Sequence, residues 1–70
     1  MIITDTIALG KMIKTRRKEM GITQAYLLEV TGLSTTFISD VENGKSTAEI
    51  GRIIKLINIL GMDFIVESRG

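Results

Sequence analysis

Apolar positions follow a helical period through most of the 70-residue chain, and glycines separate the periodic stretches. In the first stretch, apolar side chains share one side of a helical wheel while lysines occupy the other side. This pattern predicts a helix from Thr6 to Met20, which Gly21 ends. The apolar positions of this helix are Leu9, Met12, Ile13 and Met20.

Two short helices are predicted on either side of a turn that contains Gly32. Thr23 can cap a second helix that ends near Val30, and Ser34 can cap a third helix from Thr35 to Glu42. The residues predicted to face the core are Leu27, Leu28 and Val30 in the second helix and Phe37, Ile38 and Val41 in the third.

The last third of the chain predicts one more helix and a short strand. Thr47 can cap a fourth helix from Ala48 to Leu60, and the residues from Met62 to Glu67 then alternate as a strand does. An apolar strand must be paired or covered, and nothing else in this chain predicts a partner strand, so we expect two chains to pair. The predicted core positions of the fourth helix are Ile50, Ile53, Ile54, Ile57 and Leu60, with Leu56 and Ile59 outside that arc.

Length and composition narrow the function classes. Seventy residues form one small core, and we divide the chain into a helical domain, 1–61, and a tail, 62–70. Cysteine and histidine are absent, which excludes disulfides, zinc-finger ligand sets, a thiol nucleophile and the usual general base. Clustered carboxylates and a phosphate-binding glycine loop are also missing from the sequence. We therefore expect neither an enzyme nor a bound cofactor.

Charge is distributed unevenly along the chain. The formal net charge is only +1, but five of the nine basic residues lie between Lys11 and Lys18. The basic residues thus form a local patch on the first helix.

No apolar run approaches the roughly 20 residues that span a bilayer, so we expect no membrane partner.

The second and third helices have the layout of a helix-turn-helix. A tight glycine-containing turn joins them, and the third helix opens with a run of small hydroxyl residues. A helix about 10 to 12 Å wide fits the major groove of DNA and can present its first outward side chains to base edges. The layout therefore predicts recognition of double-stranded DNA.

Several short motifs in these elements resemble the Cro and phage-repressor type of helix-turn-helix domain, which is XRE-like. The resemblance implies an all-α, lambda-repressor-like domain of four to five helices, followed here by a short β-strand that pairs across a dimer. The matching motifs are Arg17 with Gly21, Thr23-Gln24, the Gly32 turn, Phe37-Ile38-Ser39, Glu42-Asn43-Gly44-Lys45 and Leu60-Gly61.

The resemblance also implies roles for individual residues. Gln24 is expected to bind a backbone phosphate, and Asn43 and Lys45 are expected to hold phosphate after the third helix. Arg17 and Glu42 are expected to form a structural ion pair. The residues expected to face bases are Ser34, which is equally suited to act as a cap, and Thr35, Thr36, Ser39 and Asp40.

The apolar tail makes the chain similar to HipB-type antitoxins within this family. That similarity implies a homodimer, a palindromic DNA operator, repression of the protein's own operon and a HipA-type kinase toxin as a further partner. It also implies a bacterial or phage protein that is cytoplasmic and lies on the nucleoid when bound. The predicted dimer-interface residues are Leu56, Ile59, Met62, Phe64, Ile65 and Val66.

Two alternatives remain open at this point. One is a stand-alone Cro-like regulator without a toxin partner. The other, from a different class, is a protein-interaction adaptor that uses the same fold without binding DNA. The low net charge and the acidic Asp40 on the third helix keep the adaptor open as an alternative, because both weaken attraction to phosphate.

Overall fold

The computed structural model describes residues 2–70 and contains four helices in that range, which confirms the all-α helix-turn-helix class. Met1, the first residue of the predicted 1–61 domain, lies outside the described residues. The helices are α1, Thr6–Glu19; α2, Gln24–Thr31; α3, Thr35–Glu42; and α4, Ile50–Ile59.

Helix α1 crosses α3 at Gly10. A Cβ atom on Gly10 would lie 2.8 Å from the backbone oxygen of Glu42, closer than real Cβ atoms come to backbone. Asp5 caps α1, since its carboxylate accepts from the Ala8 N–H at 2.7 Å. Met20 is the C-cap and is exposed, so the helix ends one residue earlier than predicted. The absence of a side chain at Gly10 sets the spacing between α1 and α3.

The α2–α3 turn is held by hydrogen bonds to Thr31, the last residue of α2. The Thr31 hydroxyl donates to the Leu27 carbonyl at 2.6 Å and accepts from the Leu33 N–H at 3.1 Å. Gly32 takes a φ of 74°, the left-handed conformation that suits glycine after a helix. The Lys55 ammonium donates to the Thr31 carbonyl at 2.8 Å. Helix α4 therefore supports the turn that sets the angle between α2 and α3.

Helix α4 departs from the prediction in its start and in its buried face. It begins at Ile50, with Glu49 as an N-cap that makes no side-chain cap bond, and Thr47 lies in the preceding loop instead of capping it. Ile50 is 55% exposed whereas Leu56 is 0% exposed, which reverses both predictions. The apolar residues of α4 form one broad arc, and periodicity alone does not say which part of that arc faces the core. Leu56 therefore belongs to the core and is wrong as a dimer-interface residue.

The buried residues form one core between the four helices. Leu28 and Val30, which were expected in this core, are exposed on the outer side of α2. Only one stripe of a short surface helix faces inward, and in α2 the buried residues of that stripe are Leu27 and Thr31. The buried apolar residues are Ile13, Leu27, Leu33, Ile38, Val41, Ile53, Leu56, Ile57 and Leu60.

The tail after Gly61 forms no strand in this single chain. Residues 62–70 have no regular secondary structure, in contrast to the strand predicted from Met62 to Glu67. Met62 packs against the core of its own chain, whereas Phe64, Ile65 and Val66 are exposed. A strand needs a neighbour for its backbone hydrogen bonds, and the described part of this chain offers none. The expected pairing of tails thus concerns a second copy.

Candidate nucleic-acid interface

The exposed face of α3 carries the residues that were predicted to read bases. Ser34 caps the helix, because its hydroxyl oxygen accepts from the Phe37 N–H at 3.0 Å. Thr36 is exposed, and Thr35 and Ser39 are half-buried on the same helix. Ile38 and Val41 anchor the opposite face in the core. The helix therefore presents short hydroxyl side chains outward from a rigid support.

The end of α3 is polar and partly self-paired. The Lys45 ammonium lies 3.4 Å from Oδ2 of Asp40, and the Lys45 N–H donates to the Asp40 carbonyl at 3.0 Å. The side-chain amide of Asn43 donates a long hydrogen bond, 3.4 Å from Nδ2 to Oγ, to the Ser39 hydroxyl. Four predicted interface residues are thus brought together at one end of the helix, and the only carboxylate among them pairs with the neighbouring lysine.

Arg17 and Glu42 lie together in a buried ion pair between α1 and the last turn of α3. Arg17 donates from Nε to Oε2 at 2.6 Å and from Nη2 to Oε1 at 2.9 Å. Its Nη1 donates to the Ile22 carbonyl at 2.9 Å, so three directions of the guanidinium are satisfied. These side-chain hydrogen bonds to Glu42 raise the pKa of Arg17 above its ordinary value and outweigh burial, which lowers it. Arg17 therefore stays charged.

Gln24, the first residue of α2, is attached to this ion pair. Its amide Nε2 donates to Oε1 of Glu42 at 3.1 Å. A primary amide carries two N–H groups, so one remains for an outside acceptor such as a phosphate oxygen. The buried pair therefore holds the side chain that was predicted to bind phosphate.

Two basic side chains near these elements make interactions that the sequence did not predict. Arg52 of α4 lies over the Phe37 ring, with its guanidinium carbon 5.8 Å from the ring centroid, and it pairs with Glu49 at 3.0 Å. Arg16 donates from Nε to the Leu60 carbonyl at 2.9 Å. The Arg52–Phe37 and Arg16–Leu60 interactions join separate helices, and residue spacing does not reveal such pairs.

The remaining dimer candidates lie on the outer side of α4 and in the tail. Ile59 is exposed and lines a shallow apolar groove with Val30 and Ile54. Lys55 lies at the same groove. Met62 is half-buried against its own core, so its side chain is only partly available to a second copy. The exposed apolar surface of the tail is therefore confined to Phe64, Ile65 and Val66.

Within residues 2–70, no group of three or more carboxylate, histidine or cysteine side chains is arranged to hold a metal ion. Over the same residues, no helix has the length and apolar character that a membrane span requires. Every buried side-chain nitrogen or oxygen in this range has a hydrogen-bond partner.

Sequence comparison places the chain among helix-turn-helix proteins. A helix-turn-helix family model matches residues 13–65. The chain is 34% identical over 62 residues to y4mF, an uncharacterized HTH-type transcriptional regulator of Sinorhizobium fredii, with 89% of this chain and 82% of that protein covered. It is 43% identical over 58 residues to the ImmF control region 10 kDa protein of Bacillus phage phi105. That match covers 79% of this chain but only 64% of the phage protein.

Solved structures of HipB share the fold over the whole chain. A HipB variant in complex with an O2 20mer matches with a TM-score of 0.89 at 23% identity, covering 100% of this chain and 97% of that one. HipB in complex with an O4 20mer matches with a TM-score of 0.89 at 21% identity, covering 100% of this chain and 99% of that one. The four-helix fold therefore has a counterpart of known structure.

Proposed function

The chain belongs to the helix-turn-helix family of XRE-like transcriptional regulators, and we propose that it is a sequence-specific repressor that binds a palindromic operator as a homodimer. The observation that carries this proposal is the outward hydroxyl face of α3, which follows a turn held by Thr31. A regulator of this family reads DNA by placing its second motif helix in the major groove.

Side-chain chemistry assigns some interface residues to base edges and others to backbone phosphates. Thr35, Thr36 and Ser39 are short enough to let α3 approach base edges, and their hydroxyls both donate and accept hydrogen bonds. Gln24 and Asn43 lie at the two flanks, where amide N–H groups can contact phosphate. Phosphate contacts then set the position of the helix, and the hydroxyl face provides the sequence preference.

A homodimer is supported by the unpaired apolar tail. Phe64, Ile65 and Val66 are consecutive and exposed, and two tails can pair as strands across a two-fold axis. In such a dimer, two copies of α3 would enter successive major grooves about 34 Å apart, which matches an inverted repeat. Dimerisation also adds to the modest stability of a core of this size.

Within this class, we favour an antitoxin that represses its own operon together with a HipA-type kinase toxin. The support is the likeness of the whole fold, over the full length of the chain, to HipB. Co-purification of the tagged chain with a kinase-like protein encoded beside it would support this role. Absence of such a neighbouring gene would leave the stand-alone regulator, which the 43% identity to a phage control region protein favours.

The first experiment is selection of bound duplexes from a random library at two salt concentrations, with the mass of the free protein measured by light scattering on the same sample. We expect an enriched inverted repeat, a dimeric mass, and binding that weakens steeply with salt because counterions are released from phosphates. If the library shows no enriched sequence and no salt-sensitive binding, DNA recognition is rejected and the protein-interaction adaptor is favoured. Enrichment of a single half-site by a monomer would reject the dimer alone.

A further inference from the structure

The candidate interface carries its only two charges as a pair. Among the eight residues predicted to contact DNA, Asp40 and Lys45 alone are charged, and their side chains lie 3.4 Å apart. The lysine is 54% exposed and the aspartate 42% exposed, so both remain accessible to a ligand. The Lys45 N–H also donates to the Asp40 carbonyl, which keeps the two residues adjacent through the backbone. The pair is therefore built into the turn that ends α3.

From this arrangement we propose that the Asp40–Lys45 pair suppresses binding to arbitrary DNA and opens only on a matching site. In the opened state, the Asp40 carboxylate accepts from the exocyclic amino group of a cytosine, and the Lys45 ammonium moves to a phosphate. The inference rests on the proposed DNA-binding function and names how the same surface discriminates between sequences.

On DNA of arbitrary sequence, the Asp40–Lys45 pair stays closed. Non-specific binding depends almost entirely on the number of phosphates that basic side chains neutralise. While Lys45 is paired with Asp40, it contributes little to that number, and the carboxylate itself is repelled by phosphates. An exposed pair of this kind changes a binding constant by up to about fivefold, which makes it easy to open when a better partner is available.

On the matching site, a cytosine opens the Asp40–Lys45 pair. In the major groove, cytosine presents an amino donor at N4, and a carboxylate is a suitable acceptor for it. Once that hydrogen bond replaces the ion pair, Lys45 is released at the end of α3, on the side where the chain leaves the helix. The lysine then neutralises a phosphate, so the affinity gained at the correct base includes an interaction that arbitrary DNA does not obtain.

The test uses the full chain and three variants, Asp40→Asn, Asp40→Ala and Lys45→Gln, with the random-library duplex and the selected site as probes. Asp40→Asn should tighten binding to the random duplex by about two- to fivefold and steepen the salt slope by about one unit. Asp40→Ala, which removes both acceptor oxygens, should also abolish a preference for cytosine at one position of each half-site. Lys45→Gln should weaken binding to the selected site and reduce its salt slope by about one unit, while binding to the random duplex changes little.

The matched control is Glu19→Gln, which makes the same change in net charge as Asp40→Asn at an exposed residue of α1. It should leave the random-duplex affinity and the base preference unchanged. Equal tightening by Glu19→Gln would show an effect of net charge and overturn the proposal. Equal weakening of both probes by Lys45→Gln, or a cytosine preference that survives Asp40→Ala, would overturn it as well. Failure of the wild-type chain to bind any duplex would instead reject the proposed function, so the two failures are distinguishable.

Discussion

Arg16 of α1 donates from Nε to the backbone carbonyl of Leu60, 44 residues later in the chain, at 2.9 Å. Leu60 is the C-cap of α4, where carbonyl groups lack partners within the helix. The arginine therefore satisfies one of these carbonyls and holds the end of α4 against α1. Since the chain leaves the helix at the next residue, this hydrogen bond also fixes the point from which the apolar tail departs.

The tail should be required for dimerisation. A chain that ends at Met62 keeps the residue that packs on the core but lacks the three exposed apolar residues, so we expect a folded monomer with weaker operator binding. Sedimentation across a range of protein concentrations measures the change. For a point test, Phe64→Ser can be compared with Leu28→Ser, because both side chains are 41% exposed. A dimer that survives truncation, or that is weakened equally by Leu28→Ser, would contradict the role of the tail.

The Arg17–Glu42 pair should be costly to break from one side. Both side chains are buried, at 10% and 2% exposure, so Glu42→Gln or Arg17→Met leaves an uncompensated buried charge. We expect each single variant to lower the free energy of unfolding by about 3 to 5 kcal/mol. The double variant Arg17→Met with Glu42→Leu should regain part of that loss. Urea denaturation at fixed protein concentration measures this, and single losses below about 1 kcal/mol would contradict a coupled buried pair.

Gly10 should tolerate no side chain, unlike Gly51 in α4. Gly10→Ala places a Cβ 2.8 Å from the Glu42 backbone oxygen, so α1 and α3 must separate, at a cost of about 1 to 3 kcal/mol. Gly51→Ala is the matched control, since its Cβ meets only the flexible carboxylate of Glu49. That variant should be neutral or stabilising by up to about 1 kcal/mol. Thermal melting measures the stability of both variants, and equal stability of the two would argue against a close α1–α3 crossing.

The paired threonines of α3 should affect recognition and leave the fold unchanged. Thr36 is exposed and Thr35 half-buried, so replacing both by alanine removes hydroxyls without opening the core. We expect the preference for operator over random duplex to fall by about 1 to 3 kcal/mol for each hydroxyl that bonds well to a base. Fluorescence anisotropy with both duplexes measures this preference, and circular dichroism checks the fold. An unchanged preference would remove these residues as base readers.

Local signals were reliable where neighbouring residues alone decide the outcome. The third helix was predicted with the bounds it has in the structure, and the caps at Thr23 and Ser34 form as expected. A capping side chain bonds to an N–H group only a few residues away, so its effect is readable from spacing. The same local logic was wrong at Thr47, because the loop before α4 places Ala48 against the core and the helix starts at Ile50.

The buried face of α4 was decided by tertiary packing. Leu56 and Ile50 lie at different places on the broad apolar arc of α4, and the helical period does not say which part of that arc faces the core. The packing of α4 against the other helices selects the arc that contains Leu56, and Ile50 is left at the surface. The hydrogen bond from Lys55 to Thr31 is likewise invisible in the sequence, since it joins separate elements.

The sequence by itself determined the helical class, the glycine turns and the hydroxyl-rich start of α3, because these depend on backbone preferences and side chains within one or two helical turns. Only the tertiary structure decided which residues those elements bring together. It attached Gln24 to the Glu42 carboxylate, paired Asp40 with Lys45, and placed Leu56 inside the core. The physical reason is that burial and long-range hydrogen bonds depend on how helices pack, and several packings share one pattern of apolar residues.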